Sequence, residues 1–221
     1  MKTIFIPSKY VGKIELGKIK LDELPKKIGI VTTAQFIEKA AEIKKYLEEN
    51  GKVVLIGKGN QKQEGQVLGC DSSSGCKIKD KVDSFLYIGS GSFHPIGVFL
   101  STKKDVFCFN PATSLFSRLD KSGIEKYEKR KKAGYVKFLH AGNIGIMVSV
   151  KPGQCSYKKA NEIKEKIENK GKKCFVFVFD TLDGNEIENF PFIDLWINTA
   201  CPRMSDDEDK KNVIDMSDLD L

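Results

Sequence analysis

Apolar and polar positions follow the same succession of patterns twice along this chain. An apolar run typical of a buried strand is followed by a stretch with apolar residues three and four positions apart, which predicts an amphipathic helix. A glycine then marks the end of each helix, and a further apolar strand follows. The two copies begin at Lys27 and Asn143. The pattern therefore predicts an internal repeat of the β-α-β-β type.

The predicted elements of the two copies correspond to one another. Both helices end at a glycine, Gly51 or Gly171, where a residue in the left-handed conformation is favoured. Each copy later has an acid, Asp83 or Asp194, before another apolar strand. The apolar helix stripes are Ile37, Ala40, Ala41, Ile43 and Leu47 in the first copy and Ala160, Ile163 and Ile167 in the second.

The strands are almost continuously apolar, as in a parallel sheet that helices cover on both faces. The predicted fold class is α/β, with two repeated Rossmann-like subdomains that have mostly parallel sheets covered by helices. A capping-box pattern at 122–125 opens a charged helix at the start of the second subdomain. The predicted segments are a lead-in arm (1–25), a subdomain with Cys70 (26–120), a subdomain with Cys201 (121–203) and an acidic tail (204–221).

Composition narrows the class of protein. No apolar run approaches the roughly 20 residues that span a bilayer, and the first residues are too polar for a secretory signal. We therefore expect a cytoplasmic protein without a membrane partner, whose six cysteines are reduced. The net charge is +7; the residues after Arg203 carry seven acids and two lysines, a net charge of −5, so the rest of the chain has a net charge of +12. We interpret this charge as solvated helix faces, and no motif indicates direct nucleic-acid binding.

Two cysteines are the most informative candidates for chemistry. Cys70 lies between Gly69 and Asp71, and Cys201 is followed by Pro202 and Arg203. Each falls near the end of one copy of the repeat, which suggests that each subdomain offers one thiolate to a shared metal or cluster. Arg203 could lower the pKa of the Cys201 thiol or hold an anionic ligand. The alternative is that both are loop thiols without a function.

The other cysteines are weaker candidates. Cys108 and Cys174 lie inside apolar strands and are predicted to act as small hydrophobic residues. Cys76 follows Cys70 at a spacing that zinc sites do not use, and the chain has no C-x-x-C pair. Cys155 follows a strand-to-helix turn and is an additional candidate ligand.

A glycine-rich segment, G-S-G-S-F-H-P at 89–95, follows a predicted strand. Glycines allow a ligand to approach the backbone closely, but the segment does not fit G-x-G-x-x-G. His94 is either a ligand-binding or acid/base group, or an imidazole that caps a turn. Because sites in parallel sheets form outside the carboxyl ends of the strands, several such loops are expected to converge on one cleft.

Four motifs together resemble a known family, the archaeal diphthamide-synthesis enzymes. They are G-Q-V-L-G-C at 65–70, Y-I-G-S-G-S-F-H-P at 87–95, K-P-G-Q at 151–154 and N-T-A-C-P-R at 198–203. These enzymes are 2-(3-amino-3-carboxypropyl)histidine synthases, which transfer a 3-amino-3-carboxypropyl group to elongation factor 2. The motifs occur in the family's order and cover nearly the whole chain.

The resemblance implies a radical mechanism without the C-x-x-x-C-x-x-C loop of common radical enzymes, which this sequence also lacks. Three related subdomains each give one cysteine to a 4Fe-4S cluster, whose remaining iron binds S-adenosylmethionine. Electron transfer breaks the bond from sulfur to the aminocarboxypropyl carbon, and the radical adds to a histidine of elongation factor 2. Cys70 and Cys201 match the second and third cluster cysteines. The resemblance implies cofactor-binding roles for Gln35, Gly89, Ser90, Gly91, His94, Gln154 and Arg203.

The family's first subdomain, with the first cysteine, has no counterpart in these residues. We expect a separate subunit to supply it, so that the chain works in a split enzyme as a homo- or hetero-oligomer. Alternatively, Cys76 or Cys155 takes the place of the missing ligand. Two other classes stay open: a noncatalytic partner subunit of such an enzyme, and a generic nucleotide-binding α/β protein.

Overall fold

The computed structural model describes residues 4, 6, 8–154, 157–181, 184–205 and 212–219. The chain divides into two compact units, Met1–Ile124 and Glu125–Leu221, each with its own sheet and core. Within the described ranges, no helix is both long and apolar enough to cross a membrane. The predicted α/β class is confirmed in both units.

The first unit contains a five-stranded sheet. Its elements are β1 (Lys27–Thr32), α1 (Ile37–Glu49), β2 (Val53–Ile56), α2 (Ser73–Cys76), β3 (Ser84–Ile88), α3 (Phe93–Thr102), β4 (Val106–Asn110) and β5 (Leu115–Arg118). The strand order is β2-β1-β3-β4-β5, and every neighbouring pair is parallel except β4 and β5. The sequence pattern predicts no strand at 115–118, so β5 is an addition. Its residues are partly or fully exposed, which leaves no apolar run to mark a strand.

The sheet of the first unit is buried on both faces, as predicted. Ile28 packs in one cluster with Ile43 of α1, and Val31 packs in another with Val98 of α3. The segment predicted as a lead-in arm adds to the cluster that contains α1. Of its residues, Ile19 and Leu24 are buried, and Tyr10, Ile14, Leu16 and Leu21 pack against the same cluster.

The second unit repeats this arrangement. Its elements are α4 (Lys121–His140), which starts before the unit boundary, β6 (Asn143–Ser149), α5 (Tyr157–Glu168), β7 (Lys173–Phe179), α6 (Gly184–Glu188), β8 (Leu195–Asn198) and β9 (Val213–Asp215). The order is β7-β6-β8-β9, with all pairs parallel, which matches β2-β1-β3-β4 of the first unit. The predicted stripe of α5 is confirmed, since Ala160, Ile163 and Ile167 are all buried.

Two local predictions need correction. Residues 212–219, part of the predicted acidic tail, are built into the second unit, because Ile214 and Leu219 complete its core and β9 pairs with β8. At the start of α4, the first-turn N–H of Ser122 binds Asp120 Oδ1 at 3.0 Å. Asp120 therefore caps the helix in place of the predicted Ser122.

Glycines in the first strand of each unit make room for an aromatic ring on the third. Gly29 pairs with Phe85, and Gly145 pairs with Trp196. A Cβ atom at Gly145 would lie 2.6 Å from the Trp196 ring, and one at Gly29 would lie 2.5 Å from the Phe85 ring. The equivalent glycines are therefore packing devices of the repeat.

The acids that precede the third strands also have matching roles. Asp194 Oδ2 accepts hydrogen bonds from the N–H groups of Gly142 and Asn143, at 2.9 and 2.8 Å. Asp83 Oδ2 accepts one from Lys27 N–H at 3.1 Å. Backbone donation from Asn143 and Gly142 lowers the pKa of Asp194. Both carboxylates thus fix the start of the first strand of their unit.

We predict that Gly145→Ala destabilises the chain by about 1–3 kcal/mol, because the new methyl group would overpack the Trp196 ring. The matched control is Gly142→Ala, whose Cβ would lie 3.6 Å from the Asp194 carboxylate, an ordinary contact. Urea denaturation followed by circular dichroism measures both. Equal stability of the two variants would contradict the packing role.

We also predict a pH-dependent stability difference between the wild-type chain and Asp194→Ala. Because the folded-state pKa of Asp194 is lowered, its contribution is present above the usual carboxyl pKa of about 3.9 and is lost as the pH falls through the folded value. Since this carboxylate is exposed, we expect a difference of about 1 kcal/mol or less at pH 7. Melting curves from neutral to acidic pH test this, and a gap that does not narrow would refute it.

Candidate functional site

The loops of the first unit that carry the candidate residues meet at the carboxyl edge of its sheet. The chain leaves β1 towards β2 and returns to β3 on the opposite side of β1, so β1 and β3 form a topological switch point. Ligand sites of open parallel sheets form at such points. Gln35 follows β1 and is exposed, and the segment 89–92 follows β3 directly.

Cys70 stands at the tip of a tight turn at this edge. Beyond the end of β2, residues 65–67 run beside the last residue of β1: Thr32 N–H donates to Gly65 O and Val67 N–H donates to Thr32 O, each at 2.8 Å. The chain then reverses through paired hydrogen bonds between Leu68 and Asp71. This leaves Cys70 exposed beyond the strand ends.

The side chain of Asp71 holds this turn. Its carboxylate accepts a hydrogen bond from Gln61 Nε2 at 2.7 Å and one from Ser73 N–H at 2.9 Å. Burial alone would raise the pKa of Asp71, but hydrogen bonds from Ser73, Gln61 and Asn60 outweigh burial and lower it. On the other side, Gly69 lies against the ring of Phe93, where a Cβ would overlap.

The glycine-rich segment folds tightly over Tyr87, which is buried. A Cβ at Gly89 would lie 2.5 Å from the Tyr87 hydroxyl, and Gly91 has φ +72°, so both positions require glycine. The Tyr87 hydroxyl donates to Ser90 O at 3.3 Å and lies 3.4 Å from His94 Nδ1. The rings of Tyr87 and His94 also stack, with centroids 6.0 Å apart. His94 is thereby oriented in the first turn of α3.

The second unit has the same kind of switch point, between β6 and β8. After β6 the chain turns at 151–154: Lys151 N–H binds Ser149 Oγ at 3.1 Å, and Gln154 N–H donates to Lys151 O at 3.0 Å. Gly153 has φ +81°, a conformation that favours glycine. The turn leaves Gln154 exposed at this edge.

Cys201 lies in the turn that follows β8. The Oδ1 atom of Asn198 accepts a hydrogen bond from Ala200 N–H at 2.9 Å, and its Nδ2 donates to Cys201 O at 2.8 Å. Thr199 Oγ1 donates to Met147 O of β6 at 2.7 Å. Cys201 is partly buried, and the exposed Arg203 follows in a short 3-10 helix, Pro202–Ser205.

The two cysteines do not occupy matching positions in the repeat. Cys70 comes after the second strand of its unit and before β3, whereas Cys201 comes after the third strand, β8. The expectation that each stands at the end of its copy is therefore wrong for Cys70. The cause is the detour at 65–70, which carries Cys70 back beside the end of β1.

The remaining cysteines differ from these two in environment. Burial raises the pKa of the Cys108 thiol to about 11, and burial with the nearby Glu168 does the same for Cys174. Such thiols stay protonated near pH 7, in accord with their prediction as hydrophobic residues. Cys76 donates to Ser101 O, in the last turn of α3, whereas the Cys70 turn contacts the first. This argues against Cys76 as a substitute ligand.

Cys155, the other candidate for the missing ligand, lies outside the described residues. Among the residues that are described, no three His, Cys, Asp or Glu side chains are grouped so as to hold a metal ion. Sequence reasoning identified the exposed cysteines but missed the groups that hold them, Asp71 and Asn198. The sequence did carry a signal for both, because Asp and Asn side chains at turns often form hydrogen bonds with the nearby backbone.

Comparison with known proteins matches these features to one family. The family model of diphthamide synthesis proteins matches residues 2–214. A 2-(3-amino-3-carboxypropyl)histidine synthase of Pyrococcus horikoshii is 34% identical over 212 residues, which cover 93% of this chain and 60% of that protein. A protein of the same name from Methanocaldococcus jannaschii is 26% identical, with 92% of this chain and 56% of that protein covered.

A solved structure agrees with this match. The crystal structure of Dph2 from Pyrococcus horikoshii with a 4Fe-4S cluster superposes with a TM-score of 0.79 at 33% identity. The match covers 90% of this chain and 57% of that chain. The present chain thus spans less than two thirds of the length of these relatives.

We predict that Asp71→Ala destabilises the chain by about 1–2 kcal/mol, because the hydrogen bonds from Gln61 and Ser73 are lost at a partly buried carboxylate. Asp80→Ala is the control, since Asp80 is exposed in the same unit; surface changes usually stay within about 0.5 kcal/mol. Chemical denaturation measures both variants. If Asp71→Ala were as stable as the control, Asp71 would not hold the turn.

Proposed function

This chain belongs to the family of diphthamide synthesis proteins, and we propose that it acts in the first step of diphthamide biosynthesis. In that step a 3-amino-3-carboxypropyl group passes from S-adenosylmethionine to a histidine of elongation factor 2. One observation carries the proposal: each unit presents a reachable cysteine beyond the carboxyl edge of its parallel sheet. Support comes from the relative whose crystal structure includes a 4Fe-4S cluster.

The residues present fit an iron–sulfur cluster as two of its ligands. Thiolates are the usual protein ligands of such clusters, and Cys70 and Cys201 are exposed or partly exposed, unlike the buried Cys174. Clusters of this type take three or four protein cysteines. We therefore propose that at least one further cysteine ligand joins Cys70 and Cys201, either Cys155 or a cysteine outside these 221 residues.

The role of the chain's own residues is to bind and orient S-adenosylmethionine. When bound, the cluster would supply the electron that releases the aminocarboxypropyl group from sulfur. At Gly91, where nothing lies within 4 Å of the side-chain position, the absence of a side chain lets a ligand reach the backbone. His94, in the first turn of α3, adds an imidazole whose nitrogens can donate or accept a hydrogen bond.

The remaining cofactor-side residues have complementary chemistry. Gln35 and Gln154 are exposed at the carboxyl edges of their sheets, where an amide can both donate and accept hydrogen bonds. Arg203 offers a planar guanidinium that suits a carboxylate. Elongation factor 2 is the proposed protein substrate, and the cytoplasm, where it works, is the proposed location.

Anaerobic reconstitution with iron and sulfide tests this proposal. The wild-type chain is reconstituted alone and together with a polypeptide that carries a further cysteine, and in at least one of these conditions it is expected to bind iron and sulfide and to show the visible absorption band of a cluster. Cys70→Ser and Cys201→Ser are each expected to lower bound iron at least about tenfold, a loss seen already when groups that only support ligands are changed. The matched control, Cys76→Ser, can still donate to Ser101 O and is expected to bind iron normally.

The same samples distinguish the other two classes. With dithionite added as the electron donor, transfer of label from the aminocarboxypropyl carbons of S-adenosylmethionine to elongation factor 2 is expected only when the cluster is present. A cluster without transfer would indicate a noncatalytic partner subunit. Calorimetry that shows tighter binding of ATP or NAD than of S-adenosylmethionine would favour a nucleotide-binding protein. Normal iron binding by both Cys70→Ser and Cys201→Ser would reject the proposed site.

A further inference from the structure

The turn that carries Cys201 is tied to the last strand of the second unit. Asn198, the final residue of β8, pairs in parallel register with Asp215, the final residue of β9. Its Nδ2 donates to Asp215 Oδ1 at 2.8 Å and also to Cys201 O at 2.8 Å. One amide group therefore joins β9 to the backbone of the cysteine.

The orientation of this amide is fixed by its partners. Its Oδ1 accepts the N–H of Ala200 at 2.9 Å, so the oxygen must face the turn. Its Nδ2 must then face Asp215, whose carboxylate can only accept. A carboxylate at position 215 thus selects the rotamer in which Asn198 binds the turn at both Ala200 and Cys201.

Asp215 itself is deeply buried, with 2% of its surface exposed. A buried carboxylate is costly unless it is hydrogen-bonded, so an apolar residue would serve the core of the sheet better. The segment that contains it is held in place from another side. Tyr127 of α4 donates to Asp218 Oδ1 at 3.1 Å, and Lys131 Nζ donates to Ser217 O at 3.4 Å.

We propose that Asp215 is a positioning residue for Cys201. Through Asn198 it holds the turn after β8 in one conformation, so that the thiol stands ready at the carboxyl edge before any ligand arrives. That Cys201 serves as a cluster ligand rests on the proposed function; that Asp215 orders the turn does not. Asp215, which lies in the segment predicted as an acidic tail, is thus assigned to the site that contains Cys201.

Thiol alkylation of the reduced, iron-free chain tests the proposal. Iodoacetamide is added under native conditions, and the modification rate of each cysteine is measured by peptide mass spectrometry. In Asp215→Ala the Cys201 rate is expected to rise roughly tenfold, the factor for losing about 1.4 kcal/mol of hydrogen bonding. Cys70, in the other unit, and Cys174, buried in the core of the same unit, are internal controls with unchanged rates.

The conservative variant Asp215→Asn keeps an acceptor for Asn198 and is expected to restore the wild-type Cys201 rate. An unchanged Cys201 rate in Asp215→Ala would overturn the proposal, as would a joint rise of Cys201 and Cys174, which would show a general role in stability. If Asp215→Ala does not fold, Asp215→Leu decides: it fills the buried volume but offers no acceptor to Asn198 Nδ2, so Cys201 alone should react faster. Because no iron is present, failure here is independent of the cluster experiment.

Discussion

Backbone hydrogen bonding beyond the ends of parallel strands is the constraint on which both candidate turns depend. Where a strand stops, its neighbour loses ladder partners, and those N–H and C=O groups must find others. In the first unit, residues 65–67 take over the partners of Thr32 after β2 has ended. In the second, side chains of Asn198 and Thr199 bind the backbone around the end of β8. The cysteines take defined positions because they are next to these bonds.

The two units share a topology but satisfy the backbone groups beyond their strand ends in different ways. This difference determines where their cysteines lie. Order and parallel pairing are the same for four strands of each unit, and so are the glycines that accept an aromatic ring, Gly29 and Gly145. The loops beyond the strands are not the same. Cys70 depends on a detour that extends the sheet, whereas Cys201 depends on an Asx turn tied to β9. A repeated scaffold therefore carries two unrelated means of presenting a thiol.

Elements with a strong periodic signal could be predicted, and those without one could not. The stripe of α5 and the glycines after α1 and α5, both at φ +78°, follow from local pattern and local conformation. Strand β5 has mainly exposed residues, and β9 is three residues long within an acidic segment. Neither β5 nor β9 has an apolar periodicity from which a strand could be predicted. Each exists because a neighbouring strand offers an unpaired edge, which is a long-range condition.

The sequence by itself determined the repeat, the parallel α/β class and the contrast between cysteines in apolar strands and cysteines in polar turns, because these depend on local composition and period. Only the tertiary structure decided which turn each thiol occupies and which side chains hold it. Asp215 shows the reason most clearly. Its sequence surroundings suggest solvent, yet pairing of β9 with β8 buries it beside Asn198. Burial and hydrogen-bond partners arise from contacts between distant segments, and no local pattern encodes them.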